Sequence, residues 1–467
     1  MAGKSGENLE GKRVLVVGLA RTGIATALFC AARGARVTAS EENPREKVAE
    51  AASKLEAAGA VLELGGHRRE TFLAQDLIVP SPGVPYGMEH LTAARAQGIP
   101  VWSEIELAWR FLKGKLVAVT GSNGKTTTTA LIGHILETAG VPTLVGGNIG
   151  TPLISRVETS SEATVTVAEV SSFQLESIFE FRPDVGVLLN LTPDHLDRHA
   201  SMDEYAAAKA RLFENQTGED AAVLNADDPE SKRYAPARAQ RYQFSRRAAV
   251  GAGCYLRDTQ VVFRQRGAET VLLTRADIGL RGEHNVENVL AAAAAAFLAG
   301  APPGSIAEGV RTFAGVEHRL EFVARIGGVD FYNDSKATNV DATLKALDAF
   351  EGGLLVILGG KDKGSDYTLL ADALRRRARV ALLVGAATAK IAAQLKGVVE
   401  LVDAGTLANA VRMGLERARP GDTVLLAPAC ASFDQFENYE HRGRVFKQAV
   451  RALEQERGVA DGARKAS

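Results

Sequence analysis

The sequence predicts an α/β protein of three consecutive domains, the outer two Rossmann-like and the middle one built around a phosphate-binding loop. Short apolar runs alternate with helical segments along the chain, the pattern of βαβ units and parallel sheets. The length, 467 residues, exceeds what one core accommodates. A glycine-bracketed lysine loop, TGSNGKTTTT at 120–129, interrupts an apolar run well inside the chain. No repeat of 20–50 residues is present, which sets solenoids aside.

The first domain is placed at 1–112. RVLVVG reads as a buried strand, TGIATALFCAARG as a helix ending at Gly34, ARVTAS as a second strand, and DLIVPSPGV as another with a turn at its end. The turn GLARTG is a G-x-A-x-x-G variant of the dinucleotide fingerprint, with Ser40, Glu41 and Glu42 where a ribose-binding acid often sits. A tight turn without a ligand is the alternative. Residues 13–34 are apolar enough to raise the question of a membrane span. Arg21 in their middle, with Gly18 and Gly23, favours strand, turn and helix instead.

The second domain is placed at 113–316. After the loop come strands at EATVTVAEVSS, DVGVLLNLT and AAVLNAD and a helix over roughly 203–214. Short alternating runs at 240–275 predict a small antiparallel excursion, and the alanine-rich HNVENVLAAAAAAFLAG a closing helix. The third domain, 317–467, has strands at VDFYND, GGLLVILGG, VALLVG and DTVLLAP separated by helices. Its polar, Gly/Ala-rich end after about 456 is expected to fray.

Composition narrows the function. Apolar residues make up 46% and charged residues 24%, an ordinary globular balance. A formal net charge of −1 gives no reason to expect nucleic acid or an anionic membrane, so anion binding must come from local sites. Cys30, Cys254 and Cys430 are widely spaced and odd in number, which argues against disulfides and zinc and for a reducing compartment. The N-terminus MAGKSGENLEGK is polar and contains acids, unlike a signal peptide. A soluble, cytoplasmic protein is expected.

The full P-loop pattern has a glycine where this chain has Val119, so the match is to the shorter T-G-x-x-G-K-T, in a P-loop ATPase-like domain. Gly121, Ser122, Asn123 and Gly124 let backbone N–H groups converge on phosphate oxygens, and the helix beginning near Lys125 aims its positive end at the same anion. Lys125 supplies a mobile charge, and Thr126 or Thr127 a hydroxyl for Mg²⁺. Glu169 ends the run TVTVA, where it is either an acid near that metal or a strand-end surface glutamate. His195, flanked by Asp194 and Asp197 in NLTPDHLDRH, follows another strand, a placement that favours a metal or substrate role. Lys209 reads by spacing alone as a solvated helix lysine. FYNDSKATN at 331–339, LGGKDKGSDY at 358–367 and APACASFDQFENYEHRGRVF at 427–446 are three polar strand-end loops, which together suggest a ligand-facing rim.

Taken in order, TGSNGKTTT, EVSSFQLE, NLTPDHLDRH with the lysine of AAKARLFEN, HNVEN, EHRLE, NDSKATN and ACASFDQFENYEHRG resemble the Mur ligases over all three domains. NDSKATN and ACASFDQF match the branch that adds D-glutamate. The resemblance implies an ATP-dependent carbon–nitrogen ligase of peptidoglycan precursor synthesis, a monomer whose partners are UDP-N-acetylmuramoyl-L-alanine, D-glutamate and ATP. It implies that Leu19, Arg21, Thr22, Ser40, Glu41, Ser81, Gly83 and Asn148 contact the UDP substrate. ATP would be held by 121–127 with Asn285, Asn288, Arg319 and Asp334. Mg²⁺, at two sites, would be held by Thr126, Glu169, His195 and Lys209, the last as a carbamate. Lys336, Thr338, Ser432, Phe433 and Tyr439 would surround D-glutamate, with the choice between Lys361 and Lys363 open. GLARTG is short of glycine for a nicotinamide site, so uridine nucleotide suits it better. A folylpolyglutamate synthase-like ligase and a non-catalytic nucleotide switch are the alternatives. The first would carry its loop near the N-terminus, and the second needs no second metal site.

Overall fold

The computed structural model of the chain describes residues 7–195 and 198–466. Its strands form three sheets drawn from successive stretches of sequence. In the first, the buried strand Arg13–Val17 pairs in parallel with Arg36–Glu41 and with Leu77–Pro80, and Val61–Leu64 adds outside Arg36–Glu41. Sequence reading missed Val61–Leu64, because none of its four residues is buried and an edge strand of that kind carries little apolar signal. The helix Arg21–Ala31 comes so close to the first strand that a Cβ on Gly23 would stand 1.9 Å from the Gly18 carbonyl oxygen. Glycine is required there, as the fingerprint spacing implied.

The central sheet has nine strands. Lys115–Thr120 lies between Val165–Glu169 and Val185–Leu188, all parallel, so the loops after these three strands leave the same edge. Thr143–Gly147 extends the sheet on one side and Ala221–Asn225, Gln240–Ser245, Gly253–Arg257, Gln260–Gln265 and Ala268–Thr274 on the other. The antiparallel excursion expected at 240–275 is corrected in part. Gln240–Ser245 and Gly253–Arg257 join in parallel, and only the last two pairings, on either side of Gln260–Gln265, are antiparallel. Alternation reports which face of a strand is wet and says nothing of its direction. The helix Glu283–Ala299 is buried along Ala291–Ala296, where methyl side chains allow close approach on all sides.

The third sheet runs Glu321–Ile326, Val329–Asn333, Thr423–Leu426, Leu354–Gly359, Ala378–Val384, Glu400–Gly405, parallel except for its first pair. The last helix, Tyr439–Ala466, continues through the segment expected to fray. Its alanine, arginine and glutamate content favours helix enough to carry three glycines.

The chain divides into two compact units, Met1–Ile278 with Glu287–Phe313, and Gly279–Val286 with Ala314–Ser467. Within the first unit one apolar core runs from Val14 and Val16 through Ile105, Leu107 and Leu112 to Leu116 and Leu188. The helix Glu104–Phe111 thus joins the first two sheets, and its buried Glu106 accepts the backbone N–H groups of Phe179 (2.8 Å), Glu180 (3.0 Å) and Phe181 (2.7 Å). Among the described residues no helix is long and apolar enough to cross a membrane.

Candidate functional site

A cavity of about 640 Å³ lies where the loops after Arg13–Val17, Arg36–Glu41 and Leu77–Pro80 emerge, which is where open parallel sheets bind ligands. Leu19, Arg21, Thr22, Glu41, Ser81, Gly83 and Asn148 line it, with His67. Ser40 does not; it is fully buried, its hydroxyl 2.7 Å from His67 Nδ1. Glu41 accepts the Leu19 N–H at 2.7 Å and two N–H groups of Asn43 at 2.9 and 2.7 Å. Burial pushes the Glu41 carboxyl up, but the hydrogen bonds from Asn43 and Leu19 outweigh it and leave the group below its ordinary range.

On the central rim, Gly124 caps the helix Lys125–Thr138 with φ +86, and Gly121 has φ +148 with room for a Cβ only 2.9 Å from Leu189 Cβ. Both positions therefore need glycine. A Cβ on Gly124 would also meet Asn288 Oδ1 at 2.2 Å, which brings Asn288 to the loop. Lys125 Nζ donates to the Gly121 and Ser122 carbonyls, each at 2.8 Å, so it is folded over its own loop. The Ser122 hydroxyl donates to Thr192 O (2.8 Å) and accepts from Tyr205 OH (3.0 Å), while the Asn123 N–H meets Asn190 Oδ1 at 2.8 Å. Thr126 and Thr127 are buried, and the Thr127 hydroxyl has no hydrogen-bond partner.

Glu169 is buried, not a surface residue. Its Oε1 accepts from Asn148 Nδ2 at 2.8 Å, and its Oε2 is unpartnered. Asn148 thus belongs both to the first cavity and to the central rim. His195 is half-exposed, with φ +54 and its ring edge-on to Phe173 at 4.9 Å. Asp197, the second flanking acid, lies outside the described residues. The spacing-based expectation for Lys209 is corrected: it is 1% exposed on the helix Met202–Ala210, with Nζ 4.6 Å from the Tyr205 ring centroid. Burial, and then the charge of Lys125, hold its amine well below the lysine range, against the pull of Asp194 and Glu169. Helical spacing did not reveal this, because the charges that act on Lys209, those of Lys125, Asp194 and Glu169, stand outside its helix. Among the described residues no group of three or more His, Cys, Asp and Glu is placed to hold a metal ion.

In the second unit, Asn285 is buried and donates to Arg281 O at 2.6 Å. Asp334 is buried, its carboxyl pushed up to about 6 by burial against Arg319, the Leu320 N–H and Lys336. Val329–Asn333, Thr423–Leu426 and Leu354–Gly359 are adjacent and parallel, so the three polar loops predicted from sequence leave one edge. Lys336 Nζ lies 5.6 Å from the Tyr439 ring centroid, and the Thr338 N–H meets Lys336 O at 2.8 Å. Ser432 is buried, whereas Phe433 is 66% exposed. Lys361 and Lys363 are both exposed, but only Lys361 is tied to the neighbouring loop, through paired backbone bonds with Ala431 at 2.9 and 3.1 Å.

Sequence reading missed three residues here: His67, Arg198 and Arg442. Arg442, 1% exposed, donates to Ser335 Oγ (3.0 Å), Ser335 O (2.8 Å), Cys430 O (3.2 Å) and Ala431 O (3.4 Å), fastening two of the three loops together. The signal was available, an arginine on the polar start of an amphipathic helix, but it is shared by most solvated arginines.

A phosphate-binding loop, a buried lysine on its rim and a second unit with a polar strand-end rim define a class, and the chain belongs to it: the Mur ligase family. Matches run over residues 12–103 (Mur ligase MurD-like, N-terminal domain), 119–296 (Mur ligase middle domain) and 318–430 (Mur ligase, glutamate ligase domain). More particularly, the UDP-N-acetylmuramoylalanine–D-glutamate ligase of Koribacter versatilis is 53% identical over 452 residues, covering 96% of this chain and 100% of that protein. The enzyme of the same name from Solibacter usitatus is 54% identical over 451 residues, covering 96% and 99%. Among solved structures, UDP-N-acetylmuramate-alanine ligase from Thermotoga maritima shares the fold with a TM-score of 0.58 at 20% identity, covering 95% of this chain and 100% of that one.

Proposed function

We propose that this chain is an ATP-dependent ligase that joins D-glutamate to UDP-N-acetylmuramoyl-L-alanine through an acyl phosphate, in the cytoplasmic stage of peptidoglycan precursor synthesis. The observation that carries the reading is the 53% identity, end to end, with a ligase named for that reaction. Residues 1–112 are assigned the nucleotide sugar, 113–316 ATP, and 317–467 the incoming amino acid.

A carboxylate is a poor electrophile at neutral pH, and phosphorylation makes it a good one. In this mechanism the L-alanyl carboxylate attacks the γ-phosphorus in line, and ADP leaves. Lys125 releases its own-loop carbonyls and neutralises the oxygens where charge builds. Asn285, Asn288, Arg319 and Asp334 hold the nucleotide, while Leu19, Arg21, Thr22, Ser40, Glu41, Ser81, Gly83 and Asn148 orient the UDP end. The amine of D-glutamate, held by Lys336, Thr338, Lys361 or Lys363, Ser432, Phe433 and Tyr439, then attacks the acyl phosphate, and the tetrahedral adduct collapses to amide and phosphate.

The unpartnered Glu169 oxygen, the orphaned Thr127 hydroxyl beside Thr126, and the uncharged amine favoured at Lys209 suit a hard cation. Mg²⁺ held by Thr126, Glu169, His195 and Lys209 would lower the charge on the transferring phosphoryl group. Lys209 joins that set once its neutral amine adds CO₂ and loses a proton, becoming an anionic oxygen ligand.

The test is direct. Incubation with ATP, D-glutamate and UDP-N-acetylmuramoyl-L-alanine should yield the glutamyl amide by mass spectrometry, with one phosphate released per amide. Phosphate release that is indifferent to both acceptors would overturn the reading.

A further inference from the structure

We infer that Arg198 is a positioning residue, a clasp that fixes the distance between the nucleotide-sugar cavity and the His195 loop. The inference rests on the ligase reading for its kinetic consequence, but not for its geometry. Arg198 follows His195 by three residues on the loop after Val185–Leu188. Its Nη2 donates to Val84 O at 2.9 Å and to Glu176 Oε2 at 3.3 Å, and Nη1 reaches Gly83 O at 3.4 Å and Pro82 O at 3.5 Å. Pro82, Gly83 and Val84 line the cavity of the first sheet, whereas Glu176 follows the strand Val165–Glu169 of the central sheet. The guanidinium also lies 4.5 Å from the Phe173 ring centroid, and Phe173 meets His195 edge-on. One planar fork, 19% exposed, therefore touches the wall of one pocket, an acid of the next sheet and the ring that backs His195.

The substrate of this reaction is long. Its uridine end and its reacting carboxylate must be satisfied together, one in the first-sheet cavity and the other on the central rim. Holding the wall of the first at a set distance from the second makes that geometry available before binding. A guanidinium can do this because its donors point in several fixed directions, which a lysine ammonium on a flexible stem does not reproduce. Glu176 reinforces the clasp. Burial raises its carboxyl, and the charge and hydrogen bond of Arg198 are the first influences that oppose it.

Arg198→Lys keeps the charge and loses the fork; Arg198→Met keeps the stacking stem and loses both. In each, kcat should fall about 10- to 100-fold, the scale of an ångström-sized misplacement. Dissociation constants for uridine diphosphate alone and for ATP alone should stay within about twofold, because each ligand uses only one end of the ruler. Hydrogen exchange over residues 82–88 and 198–204 should quicken in both variants, a readout that needs no turnover. An unchanged kcat together with unchanged exchange overturns the inference. So does a general collapse, in which the thermal midpoint and both dissociation constants deteriorate together, because that is a merely structural role. If the wild-type protein itself makes no amide, the ligase reading fails, and exchange alone decides whether the clasp exists.

Discussion

The central rim and the rim of the third sheet are built on the same plan, polar loops leaving adjacent parallel strands, and they handle buried charge in opposite ways. On the third rim the buried cation is Arg442, and its four side-chain hydrogen bonds all go to neutral oxygens. On the central rim, Lys209 is buried beside another cation, while Glu169 Oε2 and the Thr127 hydroxyl are left without partners. Buried polar groups are normally satisfied, so the central cluster is a set of contacts waiting for something to complete it. The third cluster is already complete, and its task is to hold loops in place. Of these two clusters, the unsatisfied one stands at the phosphate-binding loop and the saturated one fastens loops.

Breaking the central cluster should therefore cost activity and little stability. Lys125→Ala removes the charge aimed at the triphosphate and should lower kcat by about 10²–10³-fold or more, with the thermal midpoint unchanged. Phosphate release and a melting curve on one sample check both halves, and full turnover would sink the assignment of this loop. Lys209→Ala should lose on the order of 10²-fold, and added formate or acetate should restore part of it, because a small carboxylate can occupy the place of the carbamate oxygens. An alanine variant as active as the parent would remove the carbamate from the mechanism.

Much of this contrast was visible in the sequence, but unevenly. The loop 120–127 was legible because its chemistry is local: glycines, lysine and hydroxyls follow one another between a strand and a helix. The burial of Lys209 was not, because the groups that act on it, Lys125, Asp194 and Glu169, stand outside its helix. Arg198 and Arg442 were hidden for the same reason, their acceptors lying 22 to 116 and 11 to 107 residues away. Strands with apolar interiors were found, whereas the less covered Val61–Leu64, Thr143–Gly147, Glu321–Ile326 and Glu400–Gly405 were not. Family resemblance supplied the role of Lys209, which no periodicity could have suggested.

The third cluster should respond in the opposite sense, losing stability first. Arg442→Met takes the side-chain donor from the buried carbonyls of Ser335 and Cys430, while Ala431 O keeps the Lys361 N–H, a loss of about 2–4 kcal/mol. It should appear in calorimetry as an earlier transition, with ATP affinity retained. A midpoint equal to that of the parent would mean the loops do not depend on this arginine.

The smallest effect is one of pH. The Asp334 carboxyl is pushed up to about 6, whereas an unfolded aspartate titrates near about 4. The folded protein thus binds this proton more tightly than the unfolded chain does. The stability it contributes is complete below about pH 4 and is lost as pH rises through about 6. Asp334→Asn cannot ionise, so it should be more stable than the parent above pH 6 by about 1–3 kcal/mol, with the gap closing toward pH 4. Melting the two proteins side by side across that range checks the sign. A gap that widens on acidification would show that the positive charge of Arg319 outweighs the burial, and that this acid belongs with the charged groups of the central rim rather than with the frame around Arg442.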